Sequence, residues 1–157
     1  MLRTHTRSER GAAMVEMAIV TPLFILLLFG IMEAGWLFSQ QVEVRHGARE
    51  ATRIAAVSTP DIDGSGTFDA ADIRDRACNA MNLSSGTVTR IAISSTGADI
   101  GDDANVTVVV QYQSLTGVAD SIFDGLSIDT SVDFRLEQPR AWSDATYVAV
   151  APASVCP

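Results

Sequence analysis

The stretch AAMVEMAIVTPLFILLLFGIM, residues 12–32, decides the fold of this chain. Glu16 is its single ionisable side chain, and most of the remaining side chains are strongly apolar. A helix that rises about 1.5 Å per residue covers about 30 Å over this length, which matches the hydrocarbon core of a bilayer. The stretch therefore predicts a membrane-spanning helix.

The charges on either side of this stretch differ in sign. Arg3, Arg7 and Arg10 precede it with one acid, Glu9, whereas Glu33 follows it directly. Because basic residues favour the cytoplasmic side of a membrane, we expect a single pass with the N-terminus in the cytoplasm. The part of the chain that follows the membrane span then lies on the outer side of the cytoplasmic membrane.

A cleaved secretory signal is the alternative interpretation, with residues 17–32 as its apolar region. Glu16 at the start of the stretch, and the lack of a clear small-x-small site after it, argue against a signal. The helical pattern also continues through residues 36–57, where apolar side chains recur at three- and four-residue steps. These are Leu37, Val44, Ala48, Ala51 and Ala55. We therefore expect one long helix over residues 12–57.

The remainder of the chain is acidic and changes its periodicity. Residues 58–157 contain fourteen acidic residues and five arginines, a net charge of −9, which argues against a nucleic-acid partner. Alternation with period two predicts strands at residues 87–95, 105–113, 127–137 and 147–150. We expect a small antiparallel sheet on the outer half of the long helix, which is an α+β fold.

The sequence Arg10-Gly11-Ala12-Ala13-Met14-Val15-Glu16 resembles the cleavage site of type IV pilin-like precursors. The continuation VEMAIVTPLFILLLFGIMEAGWLF and HGAREATRIAAV resembles the TadE-like minor pilins, or pseudopilins, of the tight-adherence pilus. The segments VTVVVQYQSL and SVDFRLEQPRAW are similar to the family's tail. The resemblance is dense over residues 10–57, is a pattern over residues 87–142, and leaves residues 58–86 unmatched.

This resemblance implies that a prepilin peptidase cuts after Gly11, so that residues 1–11 form a basic leader and Ala12 becomes the N-terminus. Glu16 is then the fifth residue, where the family's glutamate pairs with the N-terminal amine of a neighbouring subunit. A carboxylate inside lipid costs about 2.5–3.5 kcal/mol on insertion scales, which favours such a partner. The alternative is an interfacial glutamate that reaches the headgroups.

The function implied by the resemblance is that of a structural subunit or assembly factor of a bacterial tight-adherence pilus, used in cell adhesion. Its partners would be other pilin subunits, the pilus assembly machinery, the prepilin peptidase and membrane lipid. The alternative is a membrane-anchored calcium-binding or adhesive module. We expect no enzymatic activity, because the only histidines are His5 and His46 and no Gly-x-Ser-x-Gly turn is present.

Residues 61–72, DIDGSGTFDAAD, fit a twelve-residue calcium loop with oxygen-bearing side chains at its ligand places. Two departures stand against it: an aspartate holds the last place, and Thr59-Pro60 interrupts an entering helix. The alternative is an acidic turn in which one of the last two aspartates caps the next helix. The candidate Ca²⁺ ligands are Asp61, Asp63, Ser65, the Thr67 carbonyl, Asp69 and Asp72.

Cys78 and Cys156 are the two cysteines of the chain. They are too few, and too far apart, to form a zinc site with the two histidines, one of which, His5, lies in the leader. In an exported domain we expect them to form a disulfide, and two unpaired thiols are the alternative.

Overall fold

Two helices and four strands make up the part of the chain that the computed structural model describes, which is residues 6–58, 69–83, 87–117, 123, 125–139, 145–148 and 155–156. The long helix comes first and the strands come last, which confirms the predicted α+β class. The elements are α1 (Thr6–Val57), α2 (Ala70–Ala80), β1 (Thr87–Ser95), β2 (Asp103–Gln111), β3 (Ser127–Arg135) and β4 (Ala145–Val148).

The helix α1 is unbroken and continues through Pro22. It begins at Thr6, six residues before the predicted start at Ala12. The leader contains no proline, and its single glycine weakens a helix by only about 1 kcal/mol, so nothing in residues 6–11 stops the helix. The helix ends after Val57 because Ser58 adopts a left-handed conformation with φ 52°, and the sequence Thr59-Pro60 disfavours a further helical turn.

The two halves of α1 have different surroundings. All side chains of residues 11–32 are exposed, although most of them are apolar. From Glu33 onward one face is buried against the rest of the fold. Within the described residues, α1 is the one helix whose length and composition would allow it to cross a membrane. The apolar half has no protein cover of its own and needs lipid or other helices around it.

The sheet is antiparallel throughout, with the strand order β3-β2-β1-β4. All four predicted strands are present, and three of them have shifted ends. The strand β2 begins at Asp103 because this residue pairs with Arg135 of β3, both in register and through an ion pair of 3.3 Å. It ends at Gln111, two residues before the predicted end. The Tyr112 N–H still donates to the Leu126 carbonyl beside β3, but the Tyr112 hydroxyl and the Gln113 carbonyl already bond to α1.

A bulge in β1 sets which of its side chains enter the core. The register against β2 shifts between Val88 and Arg90, which leaves Thr89 as an extra residue. Val88 and Ile91 are three positions apart and would point to opposite faces of a regular strand. Because of the bulge, both of them are buried together with Ile93.

The core forms where the outer half of α1 covers one face of the sheet and the short helix α2 packs against α1. Small side chains on α1 let the elements approach closely, and the branched side chains of the sheet fill the space. Leu37 lies at the edge of this core, partly buried. The fully enclosed side chains include Val44, Ala48, Ala51, Ala55, Ile73, Ala77, Ile91, Val106, Val108 and Val110.

The closest approach of α1 to α2 is at Gly47. A Cβ atom placed on Gly47 would lie 2.9 Å from the Ala77 carbonyl oxygen and would overlap the Met81 side chain. The same two helices are joined by a hydrogen-bonded ion pair of 3.0 Å between Arg76 and Glu50. This bond lowers the pKa of the Glu50 carboxyl, against the opposing effect of its partial burial.

We predict that Gly47→Ala destabilises the folded chain, whereas Gly35→Ala does not. Both changes give α1 the same gain in helix propensity, but a Cβ at Gly35 meets no atom within 4 Å. Overpacking at Gly47 should lower the free energy of unfolding by about 1–3 kcal/mol. Denaturation of the full chain in detergent micelles, followed by circular dichroism, measures this difference. Equal stabilities for the two variants would contradict the close contact.

Candidate functional site

Glu33 is a buried carboxylate at the point where α1 leaves its exposed apolar half. Its side chain is only 6% exposed. A buried charge is strongly unfavourable unless polar groups replace the lost water. Four hydrogen bonds do so here, and all of them come from residues that directly follow β2.

The two oxygens of Glu33 share these four donors equally. Oε2 accepts from the Tyr112 hydroxyl at 2.8 Å and from the Leu115 backbone N–H at 3.1 Å. Oε1 accepts from the Thr116 hydroxyl at 2.7 Å and from the Thr116 backbone N–H at 3.1 Å. The carboxylate therefore fixes the segment of residues 112–116 against the helix.

The protonation state of Glu33 follows from these bonds. Burial on its own would raise the pKa, but the hydrogen bonds from Thr116, Tyr112 and Leu115 outweigh it and lower the pKa from 4.5 to about 2. Glu33 is the first residue after the apolar stretch 12–32, so this ionised group lies at its end. At neutral pH the junction carries a fixed negative charge.

The next two turns of α1 extend the same contact. The Trp36 indole Nε1 and the Gln40 amide Nε2 both donate to the Gln113 carbonyl oxygen at 3.2 Å. Residues at i, i+3 and i+7 lie on one face of a helix, so Glu33, Trp36 and Gln40 form a polar row along α1. We call this row, with residues 112–116, the Glu33 site.

A cavity of about 350 Å³ lies beside the Glu33 site, between α1 and the residues around β2 and β3. Tyr112 belongs to both the core and the cavity wall, and its ring meets Phe123 edge to face at a centroid distance of 6.2 Å. Most of the cavity wall is apolar. The lining residues are Leu26, Phe29, Gly30, Glu33, Ala34, Leu37, Tyr112, Thr116, Phe123 and Leu126.

The residues expected at the processing and assembly site all lie at the N-terminal end of α1. Arg10, Gly11, Ala12 and Glu16 are within the helix. Gly11, Ala12 and Glu16 are exposed, and Glu16 forms no ion pair with any residue that the structure describes. These residues are far along the helix from the Glu33 site, since about 1.5 Å per residue separates Glu16 from Glu33 by about 25 Å.

Four of the six candidate calcium ligands, Asp61, Asp63, Ser65 and Thr67, lie outside the described residues. The other two form a capping box at the start of α2. The Asp69 side chain accepts from Ala71 N at 2.6 Å, and the Asp72 side chain accepts from Asp69 N at 2.8 Å. Both carboxylates thus cap α2, as the alternative interpretation of an acidic turn expects. Calcium binding stays a prediction.

The two cysteines form a disulfide in the structure, with their Cα atoms 5.4 Å apart. Cys78 lies on α2 and Cys156 near the C-terminus, so the bond holds the chain end against the folded domain. The Val155 N–H also donates to the Val88 carbonyl of β1 at 2.8 Å. In the chain-entropy model, a closed loop of this length stabilises a fold by about 4 kcal/mol at most.

Glu33 was not among the residues singled out from the sequence, where it served only as the charge that ends the apolar stretch. A signal was present. Glu33 lies on the same helical face as the buried positions that follow it. The spacing from Glu33 to Leu37, Gln40 and Val44 is four, three and four residues, as helical neighbours require. A charge in line with buried positions implies a partner that removes it from water or from lipid.

The helix α1 is similar to a known protein family. The family model described as TadE-like protein matches residues 11–53. This confirms the resemblance predicted for the helix and associates the chain with the tight-adherence pilus system. The match ends before α2, so it does not extend to the sheet. Searches of curated proteins and of solved structures gave no match.

We predict that Glu33→Gln destabilises the chain at neutral pH by about 1–3 kcal/mol, because a glutamine amide would face backbone N–H donors that need an acceptor. The pKa of Glu33 is lowered from 4.5 to about 2, so its contribution is complete above pH 4.5 and is lost as the pH falls towards 2. The gap in melting temperature between wild type and variant should therefore close over that range. Glu137→Gln, the same change at an exposed position, is the control. A gap that is constant with pH would contradict the ionised site.

Proposed function

Because the chain is TadE-like over residues 11–53, we propose that it is a membrane-anchored minor pilin of a tight-adherence pilus, made as a precursor and cut after Gly11. The observation that carries this proposal is the position of the family match. The family match spans the same helix whose first half exposes an uncovered apolar surface. A bilayer before assembly, and neighbouring helices after it, would both cover such a surface.

The position of Gly11 supports the proposed cut. A peptidase must bind its substrate in an extended form, so a peptide bond inside α1 has to be unwound first. Glycine lowers that cost because it weakens a helix by about 1 kcal/mol relative to alanine. Gly11 also lies within two turns of the helix start at Thr6, where helices fray. No atom lies within 4 Å of the place where its side chain would be, so the site is accessible.

The environment of Glu16 supports the proposed assembly contact. Its carboxylate is exposed within an apolar stretch and has no ion-pair partner among the described residues. After cleavage at Gly11, the new amine of Ala12 would be the nearest cation on a neighbouring copy of the same helix. An ion pair between these groups would remove both charges from lipid and set the stagger between adjacent subunits.

The outer half of α1 gives the proposed subunit its rigidity. The Glu33 site begins directly after the apolar stretch, so the sheet domain is attached without a flexible linker. A domain attached in this way keeps a fixed height and rotation about the helix axis. Subunits that pack side by side in a fibre need such a fixed relation between helix and outer domain.

We predict that the mature chain begins at Ala12, so that the membrane form lacks residues 1–11. Gly11→Val should block the cut, because a branched side chain both stabilises the helix and fills the space that the peptidase uses. Intact-mass analysis of protein recovered from membranes measures the result. Gly35→Val, a change at an exposed glycine of the same helix, should leave processing unchanged. An uncut wild-type chain, or a cut near Gly35, would contradict the pilin proposal.

We predict that Glu16→Ala leaves membrane insertion intact but strongly reduces incorporation into surface fibres. Removal of the charge makes insertion more favourable, and it also removes the proposed partner of the neighbouring amine. The measurements are the membrane fraction of the protein and its yield in sheared fibres. Glu9→Ala removes a carboxylate from the leader and is the matched control. Wild-type fibre yield from Glu16→Ala would show that Glu16 makes no assembly contact.

A further inference from the structure

We infer that the cavity beside the Glu33 site holds an acyl chain of a membrane phospholipid, so that the outer domain rests on the bilayer surface. The inference depends on the membrane-spanning part of the proposed function and adds a ligand to it. Three sets of residues line the cavity, one from the apolar stretch, one from the outer half of α1 and one from the sheet domain.

The position of the cavity along α1 places it at the edge of the bilayer. Leu26, Phe29 and Gly30 belong to the exposed apolar stretch, whereas Leu37 lies in the outer half. Leu26 is seven residues before Glu33, which is about 10 Å along the helix axis. With the ionised Glu33 at the headgroup level, the lower wall of the cavity lies within the hydrocarbon region. The cavity is therefore continuous with the surface that lipid would cover.

The chemistry of the cavity excludes a polar ligand. Its polar groups are the Glu33 carboxylate and the hydroxyls of Tyr112 and Thr116, and these groups are bonded to one another. The other lining side chains are apolar. A polar molecule would lose its hydration and find no free partner in this wall. An acyl chain loses only contacts with other acyl chains.

The cavity has room for part of a narrow, flexible chain. Its volume is about 350 Å³, and its wall runs along α1 from Leu26 to Leu37. An acyl chain can enter this space from the lipid side without moving the Glu33 site.

Exposed apolar side chains around the cavity give independent support. Leu115, Phe123 and Leu126 belong to the sheet domain and are 48%, 40% and 37% exposed. All three adjoin the Glu33 site, since Leu115 donates to Glu33, Phe123 contacts Tyr112, and the Leu126 carbonyl accepts from Tyr112 N. Apolar side chains grouped at the place where a helix leaves the membrane are typical of a surface that lies in the interface.

Photocrosslinking tests the inference with the full chain in phosphatidylcholine vesicles. A benzoylphenylalanine replaces Phe123, or Leu27 in the apolar stretch, or Ile100, which is also exposed but lies in the turn between β1 and β2. Mass spectrometry of the peptides after irradiation measures the phospholipid adducts. We expect adducts at Leu27 and Phe123 and none at Ile100.

The outcomes separate this inference from the proposed function. Adducts at Leu27 but not at Phe123 would overturn the lipid contact and leave the membrane anchor intact. Loss of adducts at both positions would contradict the anchor itself. A crosslink from Phe123 to a second protein chain would assign the cavity to a subunit contact instead.

A variant whose side chain fills the cavity distinguishes a bound acyl chain from bulk lipid near Phe123. A Cβ at Gly30 meets no atom within 4 Å, so Gly30→Leu can project into the cavity without a clash in α1. We expect this variant to lose the adduct at Phe123 and to keep the adduct at Leu27. Gly35→Leu, outside the cavity lining, is the control. An unchanged adduct yield at Phe123 in Gly30→Leu would overturn the cavity as the binding site.

Discussion

The Glu33 carboxylate joins the two chemically different parts of this molecule, and the position of the whole sheet domain depends on how its charge is satisfied. Four donors from Tyr112, Leu115 and Thr116 replace the water that burial removes. Each donor is neutral, so the negative charge is solvated by dipoles and not cancelled by a cation. The segment after β2 cannot move away from α1 without leaving this charge uncompensated, which is strongly unfavourable.

Above the Glu33 site, packing depends mainly on small residues. Gly47 and the alanines of α1 allow α2 and the sheet to lie close to the helix axis. The Arg76–Glu50 ion pair then joins α2 to α1. The disulfide joins the C-terminal half of α2 to Cys156. At Gly47 the contact involves the Ala77 carbonyl oxygen, a backbone atom that cannot adjust as a side chain can.

Local patterns were sufficient to predict most of the fold. The alternation of Val106, Val108 and Val110 places them on one face of a strand, and helical steps place Ala48 and Ala55 on one face of a helix. These patterns involve residues near one another in sequence. They gave the element types correctly and the ends less well, because the ends of β2 depend on partners from β3 and α1.

The candidate site depends on contacts that no local pattern contains. Glu33 and its donors are separated by about eighty residues of sequence, and only the register of β2 against the helix brings them together. In the sequence, Gly47 and Gly35 look alike, and the structure alone shows that one faces α2 and the other faces open space. The bulge at Thr89 is likewise invisible in a simple alternation. Local patterns therefore predict the long apolar helix but not its junction with the sheet domain.

The continuity of α1 has a mechanical consequence. A pull on the membrane end of the helix along its axis passes into the sheet domain without a hinge, because one helix spans both regions. The force would act parallel to the contact between helix and sheet, so that side chains along the whole contact resist sliding together. Such shear loading distributes tension over many bonds at once, whereas a flexible linker would direct it to a single bond. The Glu33 site lies at the end of the contact nearest the membrane and would share this load with the rest of the contact.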